Sequence, residues 1–275
     1  MRAGLPGLLA LPALLIGCGP DVSEPLFATV DRASVVPGEV RVDTSVDEDT
    51  GTGADGGDGG DDTGPFTGGC LELHGDPDYF AGGDSALPQG DAARTVEFWF
   101  KNTNVAGWDV VAGYGASGAT FRVGFYNGFP AVEANGVAAY GSSNVMSDGS
   151  WHHLGATWDT TSGEIRIWID GVLDAQQAAS VATSSGGVFW LGDDPTSPYS
   201  GDAFTGVIDE VHLWNKALRE GEFGGLFDAP PQGMVAWYTM NQEGAGPGLT
   251  LANEAGQSSL DLTSAGAPAF VPCDY

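Results

Sequence analysis

Acidic and histidine side chains in two short runs are the residues of this chain best suited to chemistry. His152 and His153 are adjacent, and so are Asp209 and Glu210. Adjacent residues of a β-strand point to opposite faces, so neither pair can chelate one ion or flank one scissile bond together. Asp209 is in phase with the apolar Leu213, which predicts that its carboxylate points into the core. An inward carboxylate must be neutralised or hydrogen-bonded, and either backbone N–H groups or a calcium ion would serve.

Aromatic side chains on the polar faces of strands are a second group of candidate binding residues. Trp99, Tyr126 and Trp168 alternate with apolar residues that we expect in the core, and Arg122 and Arg166 share their outward faces. If these strands belong to one sheet, the rings would form a platform on which sugar rings stack. The alternative is that the rings cover cross-strand neighbours or lie beneath loops. The predicted ligand-binding residues are Trp99, Tyr126, Arg166 and Trp168.

The elements that must position these residues are strands. Short apolar runs, separated by clusters of Gly, Asp, Ser and Pro, fill the region from Cys70 to Tyr275. Residues 165–169 alternate isoleucine with other residues, and Asp170-Gly171 permits the positive φ of a two-residue turn. The pattern predicts an all-β sandwich in one domain of residues 69–275, with residues 216–226 as its only short helix.

The order of the motifs resembles that of a known family. Trp151–Trp158 and Ile165–Val172 are typical of paired strands, and Phe204–Leu218 contains Gly-Val-Ile-Asp-Glu-Val-His-Leu-Trp-Asn-Lys-Ala-Leu. In this order they resemble the laminin-G-like jelly roll of the concanavalin A-like lectin/glucanase superfamily, which pentraxins share. The resemblance implies an antiparallel jelly-roll sandwich of two sheets. It implies no single activity, because this sandwich carries lectins, adhesion modules and glycosidases alike.

A calcium site is a further implication of the resemblance. In pentraxins the calcium-binding loop lies between the strands that match Phe189–Gly192 and Thr205–Trp214. Carboxylate oxygens suit calcium, and the partnering acidic loop is missing here at residues 116–118, so an aspartate of the first loop is the expected substitute. The implied calcium ligands are Asp193, Asp194, Asp202, Asp209 and Asp78. The alternative is that these aspartates are solvated turn residues.

The N-terminal region predicts export and lipid anchoring. Arg2 precedes a short apolar run that ends in Leu15-Ile16-Gly17-Cys18, which resembles a bacterial lipobox. We therefore expect a signal peptide over residues 1–17 and a lipidated Cys18 that holds an outer-membrane or cell-surface protein to the membrane. The alternative is ordinary secretion, with Cys18 in a discarded signal. Residues 18–68 include an Asp-, Gly- and Thr-rich stretch that predicts a disordered acidic linker.

Charge and cysteine content limit the partners and the compartment. The formal net charge is −28, which argues against binding to nucleic acid or to anionic lipid headgroups. Apart from Cys18, the chain contains Cys70 and Cys273 at the two ends of the predicted domain. In an oxidising compartment this even pair predicts a disulfide, whereas a two-cysteine metal site lacks the usual close spacing.

These observations predict a lipid-anchored binding module that recognises carbohydrate or a protein ligand without catalysis. Retaining glucanases of the resembled superfamily carry an E-x-D-x-(x)-E strand, and this chain has only the adjacent acids Asp209 and Glu210. Two alternatives remain open at the level of sequence. One is a glycan-active enzyme with a non-standard site, and the other is a structural or adhesion protein of the envelope with no discrete ligand.

Overall fold

Two antiparallel β-sheets form the part of the chain that the computed structural model describes, residues 68–102, 107–116, 118–144, 148–193 and 201–274. The strands there are β1 (Gly69–His74), β2 (Tyr79–Gly83), β3 (Arg94–Lys101), β4 (Trp108–Ala116), β5 (Ala119–Tyr126), β6 (Phe129–Ala134), β7 (Val137–Tyr140), β8 (His152–Asp159), β9 (Glu164–Ile169), β10 (Val172–Ala178), β11 (Val188–Leu191), β12 (Thr205–Trp214), β13 (Met234–Tyr238), β14 (Thr250–Leu251), β15 (Leu262–Ala265) and β16 (Ala269–Pro272). The first sheet has the order β10-β9-β8-β3-β12-β1-β16, with β13 also paired to β12. The second sheet has the order β14-β15-β2-β11-β4-β5-β6-β7. The predicted all-β jelly-roll sandwich is confirmed.

The main hydrophobic core lies between the two sheets. Phe98 and Phe100 of β3 and Ile167 of β9 enter it from the first sheet, and Phe121 and Phe125 of β5 enter it from the second. The rings of Phe100 and Phe125 meet with centroids 4.7 Å apart. Each such side chain contributes roughly 1.5–3 kcal/mol by leaving water. Because strand residues alternate, every second residue of these strands is directed to an outer face.

A β-bulge in β12 reverses the expected direction of Asp209. Asp209 pairs with Trp99 of β3, but the next paired residue, His212, faces Glu97, so β12 contains one extra residue between the two pairs. Glu210, inside the bulge, has φ 47°. Asp209 therefore shares the outer face of the first sheet with Trp99. The prediction that it points into the core was wrong, because uninterrupted alternation was assumed.

A disulfide closes the domain. Cys70 of β1 is bonded to Cys273, which follows β16, with their Cα atoms 5.3 Å apart and a sequence separation of 203. The predicted pairing is confirmed, and the alternative of a two-cysteine metal site is excluded. The bond joins the first and last strands of the domain, which are also hydrogen-bonded neighbours.

Residues 215–233, which we name the covering segment, cross the outer face of the first sheet as a series of turns. The expected helix over residues 216–226 is not formed. Gly221 and Gly224 adopt φ values of 80° and 68°, which are incompatible with a right-handed helix. Thr95 of β3 ties the start of the segment, since its Oγ1 donates to the Lys216 carbonyl and accepts from the Leu218 N–H. The only helix among the described residues is a single 3-10 turn, Ser258–Leu260.

Within the described residues, no helix has the length and apolar character required to cross a membrane.

The covering segment builds a second hydrophobic cluster on the outer face of the first sheet. Leu218 and Phe223 of the segment are buried there, and the ring of Phe223 lies 5.1 Å from the ring of Trp168. Gly155 of β8 leaves room for Phe223, because a Cβ at this position would lie 2.5 Å from its ring. The other buried members of the cluster are Trp214, Met234 and Trp237.

Glu97 of β3 is fully buried at the centre of this covered face. Its Oε1 accepts a hydrogen bond from the indole N–H of Trp214 at 2.8 Å and lies 3.2 Å from Nδ1 of His212. Its Oε2 accepts the backbone N–H of Gly224 at 3.0 Å and lies 3.1 Å from Nε2 of His153. The carboxylate thus joins β3, β8 and β12 to the covering segment.

The same contacts determine the protonation states of Glu97 and His212. Burial alone would lower the pKa of His212, but hydrogen bonds and charge from Glu210 and Glu97 outweigh it and raise that pKa to about 9. Burial alone would raise the pKa of Glu97, but its histidine partners hold it well below the usual range. Both groups are therefore charged at neutral pH.

We expect loss of the disulfide to destabilise the domain without unfolding its sheets. Replacing Cys70 and Cys273 by serine in the full chain should cost about 2–5 kcal/mol and lower Tm by roughly 4–20 °C, because the unfolded chain gains freedom. Cys18→Ser is the matched control and should leave the thermal transition of the domain unchanged. Free thiols at positions 70 and 273 in oxidised protein, found by non-reducing peptide mapping, would contradict the assignment.

The Glu97–His212 pair predicts a particular dependence of stability on pH. Since the folded pKa of His212 lies above its ordinary value of about 6.5, its contribution is complete below that value and is lost as pH rises through about 9. The contribution of Glu97, whose pKa is lowered, is lost as pH falls below its ordinary range. His212→Gln should therefore cost roughly 3–5 kcal/mol near pH 6 and less near pH 9.

Urea unfolding of the two proteins at about pH 6 and about pH 9 measures this difference. His74→Gln, which changes an exposed histidine, is the control and should keep the wild-type pH profile. If His212→Gln shows the same fall in stability between the two pH values as the wild type, the titrating group lies elsewhere.

Candidate functional site

An exposed aromatic surface, which we name the aromatic patch, lies on the outer face of the second sheet. It consists of Trp108 of β4, Tyr126 of β5, Phe129 of β6 and Tyr140 of β7. The ring centroids of Trp108 and Tyr126 are 5.3 Å apart, those of Tyr126 and Tyr140 5.5 Å, and those of Trp108 and Tyr140 6.2 Å. Tyr126, Phe129 and Tyr140 are 37%, 36% and 47% exposed. The rings of Trp108, Tyr126 and Tyr140 therefore contact each other, and the patch still presents area to solvent.

A tight hairpin between β5 and β6 positions the centre of the patch. Asn127 and Gly128 connect the strands with φ values of 50° and 82°, the two positive angles of a type I′ turn. The Asn127 N–H donates to the Gly107 carbonyl at 2.7 Å, and its Oδ1 accepts the Gly107 N–H at 3.0 Å. This exchange fixes the start of β4, where Trp108 pairs with Tyr126.

A carboxylate of the first sheet holds the turn that follows Tyr140. Oδ2 of Asp174, in β10, accepts the Ser142 N–H at 2.7 Å, and its Oδ1 accepts the Ser142 hydroxyl at 2.9 Å and the Ser143 hydroxyl at 2.6 Å. Burial would raise the pKa of Asp174, but these serine hydrogen bonds outweigh it and lower that pKa. Asp174 thus remains an ionised acceptor and fixes the chain beside the most exposed ring of the patch.

Arg122 of β5 borders the patch. Its guanidinium lies over the ring of Trp108, 5.7 Å from the centroid. Nη2 donates to Oε2 of Glu133 in β6, and Nη1 lies 3.8 Å from Oδ2 of Asp202. The Arg122 side chain is only 14% exposed. Its charge is thus held between two carboxylates and an aromatic face.

The predicted ligand-binding residues do not form one platform. Tyr126 belongs to the aromatic patch, but Trp99, Arg166 and Trp168 lie in the first sheet. Trp168 is 6% exposed beneath the covering segment, and Arg166 binds Glu164 at 2.7 Å at the β8–β9 hairpin. The expectation of a single surface was wrong because β3 and β9 pair in a different sheet from β5.

Three patch residues, Trp108, Phe129 and Tyr140, were missed in the sequence. For Phe129 a signal was available, because Asn127-Gly128 between alternating runs is a strong hairpin motif and places residues 126 and 129 side by side. Trp108 and Tyr140 come beside Tyr126 only through the pairing of β4 with β5 and of β6 with β7. For Tyr140 a signal was also available, because Asn135-Gly136, with φ values of 51° and 74°, is a second Asn-Gly hairpin motif and joins β6 to β7.

The described members of the predicted calcium set have different surroundings. Asp78 accepts hydrogen bonds from His74 and from the Ala267 N–H, Asp202 faces Arg122, and Asp209 lies beside the disulfide on the other sheet. Asp193 is half-buried just after β11, and Asp194 lies outside the described residues.

The only described group of three His, Cys, Asp or Glu ligand atoms within 4.8 Å of one another is Cys70, Asp209 and Cys273, whose sulfurs are bonded to each other. The described residues therefore do not supply the ligand set implied by the pentraxin resemblance. Calcium binding by Asp193, Asp194, Asp202, Asp209 or Asp78 stays a prediction.

Shifted pKa values often mark catalytic groups. Here the pKa of His212 is strongly raised and the pKa of its partner Glu97 is strongly lowered. Both side chains are buried, and the covering segment supplies a hydrogen bond to Glu97 through Gly224. A substrate could reach them only if that segment were displaced. The pair therefore acts as an internal anchor of the covering segment.

The predicted signal peptide, Cys18 and all but the last residue of the predicted linker fall within residues 1–67, which lie outside the described residues.

Comparison with known proteins agrees with the observed architecture. Residues 74–222, slightly more than half of the chain, match the Laminin_G_3 family model, described as concanavalin A-like lectin/glucanases superfamily. A rat protein, sushi, von Willebrand factor type A, EGF and pentraxin domain-containing protein 1, is 30% identical over 169 residues, which are 56% of this chain and 5% of the relative. Mouse pentraxin-related protein PTX3 is 27% identical over 158 residues, which are 50% of this chain and 41% of that protein. The chain thus spans less than half the length of these two relatives.

Solved structures share the fold at low sequence identity. A Bacteroides ovatus protein described as "a putative carbohydrate binding protein" superimposes with a TM-score of 0.60 at 15% identity, covering 76% of this chain and 61% of that one. A heptameric SAP-like pentraxin from Limulus polyphemus gives a TM-score of 0.51 at 13% identity, covering 74% and 95%. At this identity the likeness concerns the fold alone. Taken with the family match over residues 74–222, the chain belongs to the Laminin_G_3 family of the concanavalin A-like lectin/glucanases superfamily.

Proposed function

We propose that this domain is a non-catalytic carbohydrate-binding module whose binding surface is the aromatic patch. The observation that carries the proposal is the contact between the rings of Trp108, Tyr126 and Tyr140 on a face that the covering segment does not reach. The apolar faces of sugar rings stack on such aromatic surfaces, and the phenol hydroxyls at the ring edges can hydrogen-bond sugar hydroxyls. Contiguous apolar patches that stay exposed on a protein surface often mark binding sites when they are large.

The rigidity of the patch supports the same proposal. The type I′ turn at Asn127-Gly128 and the serine bonds of Asp174 fix both ends of the ring cluster before any ligand arrives. A surface that is already ordered loses little conformational entropy on binding. The family match and the shared fold with a protein described as carbohydrate binding agree with a binding module.

Binding without catalysis is favoured by the state of the nearby acids. Glycoside hydrolysis requires one carboxyl group to protonate the leaving oxygen and a second to act as nucleophile or base. Beside the patch, Glu133 and Asp202 both face the guanidinium of Arg122. Neither carboxylate is therefore placed to protonate a leaving oxygen or to act as nucleophile or base.

Lipid anchoring through Cys18 remains part of the proposal for the full chain. The motif Leu15-Ile16-Gly17-Cys18 supports it, and the predicted acidic linker of residues 18–68 would separate the domain from the membrane surface. Under this proposal the protein displays its binding domain at the outer membrane or cell surface.

Removing one ring from the patch should weaken polysaccharide binding by about 2–12-fold, the effect of 0.5–1.5 kcal/mol for an aromatic contact. Tyr126→Ala and Tyr140→Ala test this by affinity electrophoresis and titration calorimetry on a panel of neutral plant, fungal and bacterial polysaccharides. Leu226→Ala, an exposed apolar residue of the covering segment on the other sheet, is the matched control.

The control should bind like the wild type, and all three variants should show wild-type circular dichroism. Polysaccharide binding that survives in the double variant Tyr126→Ala/Tyr140→Ala would show that the patch is not the binding surface. A protein ligand captured by the wild type but not by the double variant, with no polysaccharide bound, would favour the protein-binding alternative.

Lipidation is tested separately from glycan binding. In cells of a bacterium with a lipoprotein pathway, a clickable palmitate analogue should label the wild-type chain and not Cys18→Ser. Cys70→Ser/Cys273→Ser should retain the label, since those cysteines are bonded to each other and lie outside the lipobox-like motif. A wild-type chain that is released into the medium without label would contradict the anchor.

A further inference from the structure

We infer that the aromatic patch selects uncharged glycans and discriminates against glycans that carry carboxylate or sulfate groups. The inference rests on the proposed function, because it concerns the ligand class of the same surface. It is carried by the distribution of charged side chains on the two sheets and by the contacts of Arg122.

Positive charge is scarce on the second sheet. Arg122 is the only lysine or arginine on a strand of that sheet within the described residues. Arg94, Lys101 and Arg166 belong to strands of the first sheet, and Lys216 and Arg219 lie in the covering segment. The histidines of the described residues also lie on strands of the first sheet: His74, His152, His153 and His212.

The one cation beside the patch is already engaged. Recognition of a carboxylate or sulfate by arginine depends on a free fork of two N–H groups. In Arg122, Nη2 donates to Glu133, Nη1 faces Asp202, and Nε is buried from solvent. No fork remains for a ligand anion.

The local charge balance is also unfavourable for an anion. Arg122 contributes one positive charge, and Glu133 and Asp202 contribute two negative charges within contact distance of it. An acidic glycan stacked on Trp108 would therefore approach a net negative site on a chain whose formal net charge is −28. Uncharged sugars have no such repulsion.

The binding of acidic glycans and the binding of neutral glycans should depend differently on salt concentration. Screening lengths fall from about 10 Å at 0.1 M to about 3 Å at 1 M salt, so repulsion of an acidic glycan weakens as salt is added. Binding of a neutral glycan through ring stacking should change little over the same range.

A matched pair of polymers tests the inference. The probe is the neutral polysaccharide from the panel that binds best and the same polymer after oxidation of its primary hydroxyl groups to carboxylates. At low salt the oxidised polymer should bind the full-length wild type at least about tenfold more weakly, a difference of about 1.4 kcal/mol. Addition of salt should reduce the difference in affinity between the two polymers.

The substitution Glu133→Gln should partly restore binding of the oxidised polymer. Loss of this carboxylate removes one negative charge and weakens the contact on one side of the Arg122 fork, so the oxidised polymer should gain several-fold in affinity while the neutral polymer stays within about twofold. Glu164→Gln, which removes the carboxylate partner of Arg166 on the first sheet, is the matched control and should change neither.

The outcomes separate this inference from the proposed function. If the oxidised polymer binds as tightly as the neutral one, and Tyr126→Ala weakens both, the patch binds glycans and the charge selectivity is wrong. If no polymer of either kind binds, the proposed function fails and the inference fails with it. Weak binding of the oxidised polymer that Glu133→Gln does not improve would overturn the role given to the Arg122 contacts.

Discussion

A carboxylate that is removed from water must be neutralised and hydrogen-bonded, and Glu97 imposes that requirement at the centre of the first sheet. The sandwich meets it with two histidines, the indole of Trp214 and the backbone N–H of Gly224. The last of these comes from the covering segment, so neutralising Glu97 also fixes that segment in place. Phe223 and Leu218 then exclude water from the same face. The centre of this face is thereby covered.

The covering segment limits where a ligand can bind on the first sheet. A two-sheet sandwich has two outer faces, and here a nineteen-residue segment, positions 215–233, covers the centre of one of them. On the other, β4 to β7 are consecutive strands joined by short turns, which leave their outward side chains uncovered. The Asn127-Gly128 turn places Tyr126 and Phe129 at the tip of one hairpin, beside Trp108. The aromatic patch is therefore a consequence of local hairpin geometry, whereas the covered face depends on contacts between distant parts of the chain.

This difference explains what could be predicted from the sequence. The alternation in β3, β5 and β9 predicted their core-facing residues, because a strand has one period and one buried face. The prediction failed for Asp209, where the bulge inserts one residue, and for residues 216–226, where glycines with positive φ prevent a helix. It failed also for Trp99 and Trp168, which were placed with Tyr126 although strand order assigns them to the other sheet. The disulfide was predictable because only two cysteines remained in the domain.

The chemistry of the patch limits how the proposed module would work. Three rings that are 36–47% exposed, together with Trp108, form a surface rather than an enclosed pocket. Aromatic contacts of about 0.5–1.5 kcal/mol each, without a cation that is free to bind an anion, give only modest affinity for a single sugar chain. Affinity would then depend on how many patches meet one polymer, because linked binding events raise avidity without any new contact. A membrane anchor at Cys18 would supply that condition by holding many copies on one surface. The proposed anchor and the proposed patch therefore support each other physically: a weak, charge-excluding surface is useful where it is displayed in number.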